Sequence, residues 1–165
     1  FVLLKPIDSQ FFISLKKINP SGFLEIMLGF FLLLFCIRIN QINLNLSFLT
    51  LSLITISCSI CILYSLWFFI STTTIWFVKT WNAIEVLRSF LYIGRFPLNS
   101  FSFSLRIFFS VFIPIAFITT IPSEVFLGLS QLWKILLEVI VASVFLITSR
   151  KFWLFALKFY SSASS

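Results

Sequence analysis

The sequence contains no histidine and few residues of several kinds on which soluble enzymes depend. Of its 165 residues only 5 are Asp or Glu and only 4 are Gly. Histidine is the commonest metal ligand and the usual acid–base group near neutral pH, and loops that bind phosphate groups are rich in glycine. We therefore expect no catalytic residues, no metal site and no bound cofactor.

Apolar residues take the place of the missing polar ones. Hydrophobic residues make up 60% of the chain and charged residues 10%, against roughly 45–50% and about 25% in a soluble domain. This composition predicts a membrane protein. The net charge of +7 then marks the cytoplasmic ends of membrane helices rather than a surface for nucleic acid, so we expect lipid contacts and no nucleic-acid partner.

Four apolar runs approach or exceed the length of about 20 residues that a helix needs to cross a membrane. They predict an all-α fold, a polytopic transmembrane bundle of about four spanning helices plus short interfacial helices. The predicted spans are 22–38, 46–78, 106–121 and 132–153. The corresponding division is a cytoplasmic segment over 1–21, a membrane domain over 22–160 and a cytoplasmic tail over 161–165.

The positions of Lys and Arg predict which side of the membrane each connecting segment faces. Counted with the ends of the neighbouring spans, the segments 1–22, 38–47, 79–106, 122–134 and 150–165 hold 3, 1, 4, 1 and 3 basic residues. Basic residues are concentrated in cytoplasmic loops. The alternation therefore places both ends of the membrane domain, and the loop between the second and third spans, in the cytoplasm.

Several polar residues near the predicted outer side have both a functional and a structural interpretation. Pro122 and Glu124 open a short segment that we expect to form a surface or re-entrant helix before the last span. An acidic residue near a membrane is a functional candidate, but Glu138 has the spacing to pair with Lys134 on one helix. Cys58-Ser59-Ile60-Cys61 has the spacing of a redox motif, yet thiols packed as small apolar groups are the favoured interpretation.

Two further local features concern the shape of the membrane domain. The segment Trp81–Gly94 has apolar residues at helical spacing, with Glu85 placed to meet Arg88 or Ser89, and predicts an amphipathic helix on the cytoplasmic surface. Pro114 lies within the third predicted span, where proline removes a backbone donor and bends a helix. We expect a kink at this position.

The order of three motifs resembles that of permease subunits of ATP-binding-cassette type 2 exporters, in particular a family of bacterial permeases. The motifs are Leu3-Leu4-Lys5-Pro6-Ile7-Asp8-Ser9-Gln10-Phe11, Arg95-Phe96-Pro97, and the stretch from Pro114-Ile115-Ala116-Phe117 to Pro122. The family has six spans, so the resemblance implies that this chain supplies the third to sixth and continues a longer protein. It also implies a multi-pass protein of the bacterial plasma membrane, without its own ATPase site, that pairs with a second permease subunit and with separate ATPase subunits.

The resemblance places the segment 1–21 where such permeases contact their ATPase. If Asp8–Lys17 forms a short helix, its apolar residues share a face by (i, i+3/i+4) spacing, and its charges suit the helix dipole. The candidate coupling residues are Asp8, Phe11, Phe12, Leu15, Lys16 and Lys17. An alternative places the same side chains among lipid headgroups.

The sequence is compatible with functions other than an exporter permease. The main alternative is a small accessory or structural subunit embedded in a larger membrane complex. A membrane-integral enzyme is the least favoured because catalytic residues are lacking. Co-purification of an ATPase in fixed stoichiometry distinguishes the permease from the accessory subunit.

Overall fold

The computed structural model describes residues 8–15, 20–39, 45–77, 81–96, 100–111 and 113–159. Within these ranges the secondary structure is helical, without a β-strand. This confirms the all-α fold expected from the composition. The chain divides into two compact units, Phe1–Leu44 and Asn45–Ser165.

The first unit contains α1 (Ser9–Leu15) and α2 (Pro20–Ile39). Helix α2 begins at a proline, which is favoured in the first helical turn because its missing N–H would have no partner there. Arg38 lies in the last turn, where a cation interacts favourably with the helix dipole. The described side chains of α2 lie largely exposed in its unit, Phe23, Ile26 and Phe30 among them.

The second unit contains α3 (Leu46–Thr73), α4 (Trp81–Ile93), α5 (Phe103–Val111), a π-helix (Ala116–Thr120), α6 (Ile121–Phe126) and α7 (Leu132–Leu157). Three helices of the described ranges are long and apolar enough to cross a membrane. These segments are Gly22–Ile39, Leu46–Thr73 and Leu132–Leu157.

The run expected to form the third span is divided rather than continuous. Helix α5 ends at Val111, and Ile113 and Pro114 are not helical. The helix starts again at Ile115 and continues through the π-helix into α6, giving a short apolar helix over Ala116–Phe126. The prediction of one helix over 106–121 therefore missed both the break and the extension to Phe126.

Helices α3 and α7 form a parallel pair along most of their length. Ser59 meets Glu138, Phe68 meets Trp153 with ring centroids 5.3 Å apart, and Trp76 meets Phe155 at 6.3 Å. Both helices therefore run in the same direction. The π-helix and α6 run the opposite way, since Phe117 lies beside Ser59 and the later Gly128 lies beside the ring of Phe48.

A glycine ends α6 and allows the chain to turn into α7. Gly128 has φ +69°, a conformation that side chains disfavour and glycine adopts freely. The N–H of Leu129 donates to the Glu124 carbonyl at 2.8 Å, and that of Gly128 to the Val125 carbonyl at 3.0 Å. This Schellman-type end brings the first turn of α7 back beside α6.

Candidate functional site

Helix α3 buries a stripe of hydroxyl-bearing residues. The buried set is Ser52, Thr55, Ser59, Ser65 and Thr72, at spacings that place them on one helix face with Ile62 and Phe68. Small and hydroxyl-bearing residues let membrane helices approach closely. Each of these hydroxyls lies within hydrogen-bond distance of a carbonyl of its own helix, as Ser65 does with Cys61 at 2.8 Å.

Ser59 also reaches two other elements. Its Oγ lies 2.9 Å from the Thr55 carbonyl oxygen one turn earlier, 2.9 Å from the Phe117 carbonyl oxygen of the π-helix and 3.1 Å from Oε1 of Glu138 on α7. We call Ser59, Phe117 and Glu138 the polar junction. It joins α3, the π-helix and α7 at one point.

Pro122 explains why the Phe117 carbonyl is available to Ser59. In the π-helix the N–H of Ile121 donates to the Ala116 carbonyl, five residues earlier. The same pattern would pair the Phe117 carbonyl with the N–H of residue 122. Residue 122 is proline, which has no N–H, so the hydroxyl of Ser59 supplies a hydrogen bond that the helix cannot.

Glu138 is fully buried, with 0% of its surface exposed. Its Oε1 meets Ser59, whereas no described residue hydrogen-bonds to Oε2. The expected pairing of Glu138 with Lys134 is wrong. Lys134 Nζ instead lies 2.6 Å from Oε2 of Glu124 on α6, because the turn at Gly128 brings α6 and the start of α7 together.

The structure places the proline and acidic candidates on the divided segment. Pro114 is buried where α5 has already ended, and its carbonyl accepts hydrogen bonds from Phe117 at 3.0 Å and Ile118 at 3.3 Å. It therefore starts a new helix instead of bending one. Pro122 and Glu124 lie in α6, which continues directly from the π-helix rather than forming a separate surface helix after it.

The candidate coupling residues lie on and around α1. Oδ1 of Asp8 accepts hydrogen bonds from the N–H groups of Gln10 at 3.0 Å and Phe11 at 3.2 Å, so Asp8 caps the helix from just before its first turn. Phe11 is 61% exposed and Phe12 is half-buried. Leu15 is the last residue of α1, and Lys16 and Lys17 lie outside the described residues.

Helix α4 forms as the amphipathic spacing predicts. Arg88 Nη1 lies 3.0 Å from Oε1 of Glu85, which confirms the expected pair, and Leu87 is buried. Between α4, α3 and α7 lies a cavity of about 580 Å³ whose lining is apolar apart from Asn82. Cys58 and Cys61 are half-buried free thiols on α3.

The described residues form long apolar helices, a short capped helix before them in the chain, and a buried carboxyl between two of the long helices. A model of the family described as "ABC-2 family transporter protein" matches residues 1–164. The chain belongs to this family. Neither a search of curated proteins nor a search of solved structures found a match.

Membership of the ABC-2 transporter family confirms the resemblance drawn from the three motifs. It establishes the chain as a membrane component of a transport system. The polar junction of this ABC-2 protein was not found from the sequence, because it requires the register of α3 against two other elements. One signal was present in the sequence. Pro122 follows Phe117 by five residues, so in a π-helix the residue that should donate to the Phe117 carbonyl has no N–H.

Proposed function

We propose that the chain is the permease subunit of an ATP-binding-cassette exporter in a bacterial plasma membrane, where it contributes to the translocation path. Its ATPase subunits are separate chains, which contact it through α1. Family membership and the long apolar helices support this assignment. The +7 net charge, concentrated in the segments we assign to the cytoplasm, supports the proposed orientation.

The observation that carries the coupling role is the exposure of Phe11 on a helix fixed by its own cap. Asp8 satisfies two N–H groups at the start of α1, so the seven-residue helix holds its aromatic side chain in a defined direction. An aromatic side chain inserted into a partner's pocket contributes roughly 2 kcal/mol or more to binding. That corresponds to a change in Kd of roughly 30-fold.

A second permease subunit, either identical or related, is the other partner that we propose. Helix α2 supports this proposal, since its described side chains are not buried within its own unit and are predominantly apolar. Lipid covers one part of such a surface and a neighbouring subunit another. Pairing of two permease subunits would also provide a path lined from both sides.

The test is ATPase retention after solubilisation of the assembled complex in mild detergent. Phe11→Ala should release the ATPase, with at least a tenfold loss of affinity, while the permease stays folded. Phe103→Ala is the matched control, because Phe103 is 74% exposed on α5, a helix to which we assign no partner. It should retain the ATPase at the wild-type ratio.

Other outcomes assign α1 differently. If F11A keeps the ATPase at wild-type stoichiometry and turnover, α1 is not the coupling element. Changing Lys16 and Lys17 to alanine could weaken the binding of a peptide covering residues 1–21 to membranes and leave ATPase retention by the complex unchanged. That result would place α1 among lipid headgroups. A wild-type complex that contains no ATPase at all would favour the accessory subunit.

A further inference from the structure

The hydroxyl of Ser59 has three acceptors and one proton. A serine hydroxyl donates a single hydrogen bond and accepts up to two, yet Ser59 Oγ lies within 3.1 Å of the oxygens of Thr55, Phe117 and Glu138. The Thr55 carbonyl already receives a backbone N–H within α3. The competition for the Ser59 proton is therefore between Phe117 and Glu138.

Within its described helix, the Phe117 carbonyl has no backbone donor and therefore depends on the Ser59 hydroxyl. Ile121 donates to Ala116 and Pro122 has no N–H, so neither of the two helical donors serves Phe117. An unpaired carbonyl in an apolar interior is costly. Donation from Ser59 to Phe117 thus leaves Oε1 of Glu138 facing the hydroxyl oxygen without a proton between them, unless Glu138 supplies one.

Among the described residues, no charged group on the elements packed around Glu138 is placed to neutralise its carboxylate. Helix α3 and the π-helix carry no charged residue, and the titratable groups of α3 are the thiols of Cys58 and Cys61 and the phenol of Tyr64. Helix α6 contributes Glu124, which is bound to Lys134. The remaining cations of α7, Arg150 and Lys151, are three turns further along the helix.

We propose that Glu138 is a binding site for one exchangeable proton, and that this proton controls whether the π-helix is hydrogen-bonded to α3. In the proton-bound form the Oε1–H of Glu138 donates to Ser59 Oγ, and the Ser59 O–H donates to the Phe117 carbonyl. When the proton leaves to water, a carboxylate with one negative charge remains. The Ser59 O–H then turns to this carboxylate, and Phe117 loses its donor.

This site is distinct from the contact with the ATPase, because it requires only α3, the π-helix and α7. The proton-bound form links the divided segment to the parallel pair through two hydrogen bonds in series. The proton-free form keeps α3 and α7 linked and releases the π-helix. Proton occupancy therefore changes the attachment of one element without disturbing the others.

The test is hydrogen exchange of backbone amides, measured by mass spectrometry on the full chain in lipid nanodiscs over a range of pH. Rates are corrected for the intrinsic dependence of amide exchange on hydroxide. In the wild type, protection of residues 116–126 should fall roughly fivefold as the pH rises, the factor expected for loss of one neutral hydrogen bond. Protection of α3 should stay constant.

Two variants and two controls distinguish proton binding at Glu138 from other causes of a pH dependence. Glu138→Gln carries an uncharged amide that can donate to Ser59, so protection of 116–126 should be high and independent of pH. Ser59→Ala removes the relay, so protection should be low and independent of pH. Ser65→Ala is the matched control, because Ser65 is also buried on α3 and its hydroxyl donates to a carbonyl of the same helix. It should keep the wild-type pH dependence, as should Cys58→Ala.

Several results would overturn the proposal. They are constant protection of 116–126 in the wild type, a pH dependence that survives in E138Q, and a response to Na⁺ or K⁺ at fixed pH in place of the response to protons. If E138Q does not fold, the comparison of S59A with S65A decides. Equal pH dependence in those two variants would reject Ser59 as the relay.

Discussion

Restoring an N–H at position 122 tests whether proline makes the Phe117 carbonyl depend on Ser59. Pro122→Ala supplies the donor that the π-helix pattern lacks, five residues after Phe117. In the wild-type background, Ser59→Ala removes the described donor to that half-buried carbonyl. We expect this single change to cost about 1–3 kcal/mol of unfolding free energy, the range for leaving a buried acceptor unpaired.

In the double variant the carbonyl has the new N–H, so part of that cost should disappear. A hydrogen bond between neutral groups contributes about 1 kcal/mol net, and we expect a coupling energy of this size between the two substitutions. Reversible unfolding in mixed detergent micelles provides the four free energies of the cycle. Ser65→Ala serves as the control and should be additive with P122A.

The cycle has a clear negative result. If S59A costs the same with and without P122A, the two substitutions act independently. The freed carbonyl would then not be the reason that Ser59 contacts the π-helix. A cost that increases in the presence of P122A would contradict the reasoning as well, because it would mean that the proline itself relieves the loss of the hydroxyl.

Three further substitutions test charge and packing in the second unit and in α2. Glu124→Gln should cost about 0.2–1 kcal/mol and lose this effect at high salt, because both partners of its ion pair with Lys134 are about one-third exposed; unfolding at low and high salt measures it. Gly94→Ala should destabilise the protein by about 1–3 kcal/mol, since its Cβ would lie 2.9 Å from the buried side chain of Ile115. Gly29→Ala has nothing within 4 Å of the new Cβ and should stabilise α2 by up to about 1 kcal/mol. Equal melting temperatures for the two variants and the wild type would contradict both glycine predictions.

Local features of the fold were predictable from the sequence, because (i, i+3) pairs on a helix depend on neighbouring residues alone. The pair of Glu85 with Arg88 is an example, and it was expected and found. The long helices follow in the same way from uninterrupted apolar runs. Such runs determine where a helix can form in a membrane without reference to the rest of the fold.

Contacts between elements were not predictable in this way. Lys134 has two acidic residues within reach, and the sequence spacing favoured Glu138 on its own helix. The turn at Gly128 decides for Glu124, since it brings the end of α6 against the first turn of α7. Once Lys134 is paired there, Glu138 is left to the interface with α3, where its partner is a hydroxyl 79 positions away in the chain.

Pro114 and Pro122 both shape the π-helix, which packs against α3. Pro114 begins the new helix with a carbonyl that accepts two N–H groups, and Pro122 removes the donor that would complete the π-helix eight residues later. Between them, the segment lacks the backbone hydrogen bond that an N–H at residue 122 would donate to the Phe117 carbonyl. A segment with this deficit opens at lower free energy than its neighbours, and π-helical turns are frequent where a helix must change shape. We therefore expect movement during transport to be concentrated between Pro114 and Pro122, with α3 and α7 as the rigid support.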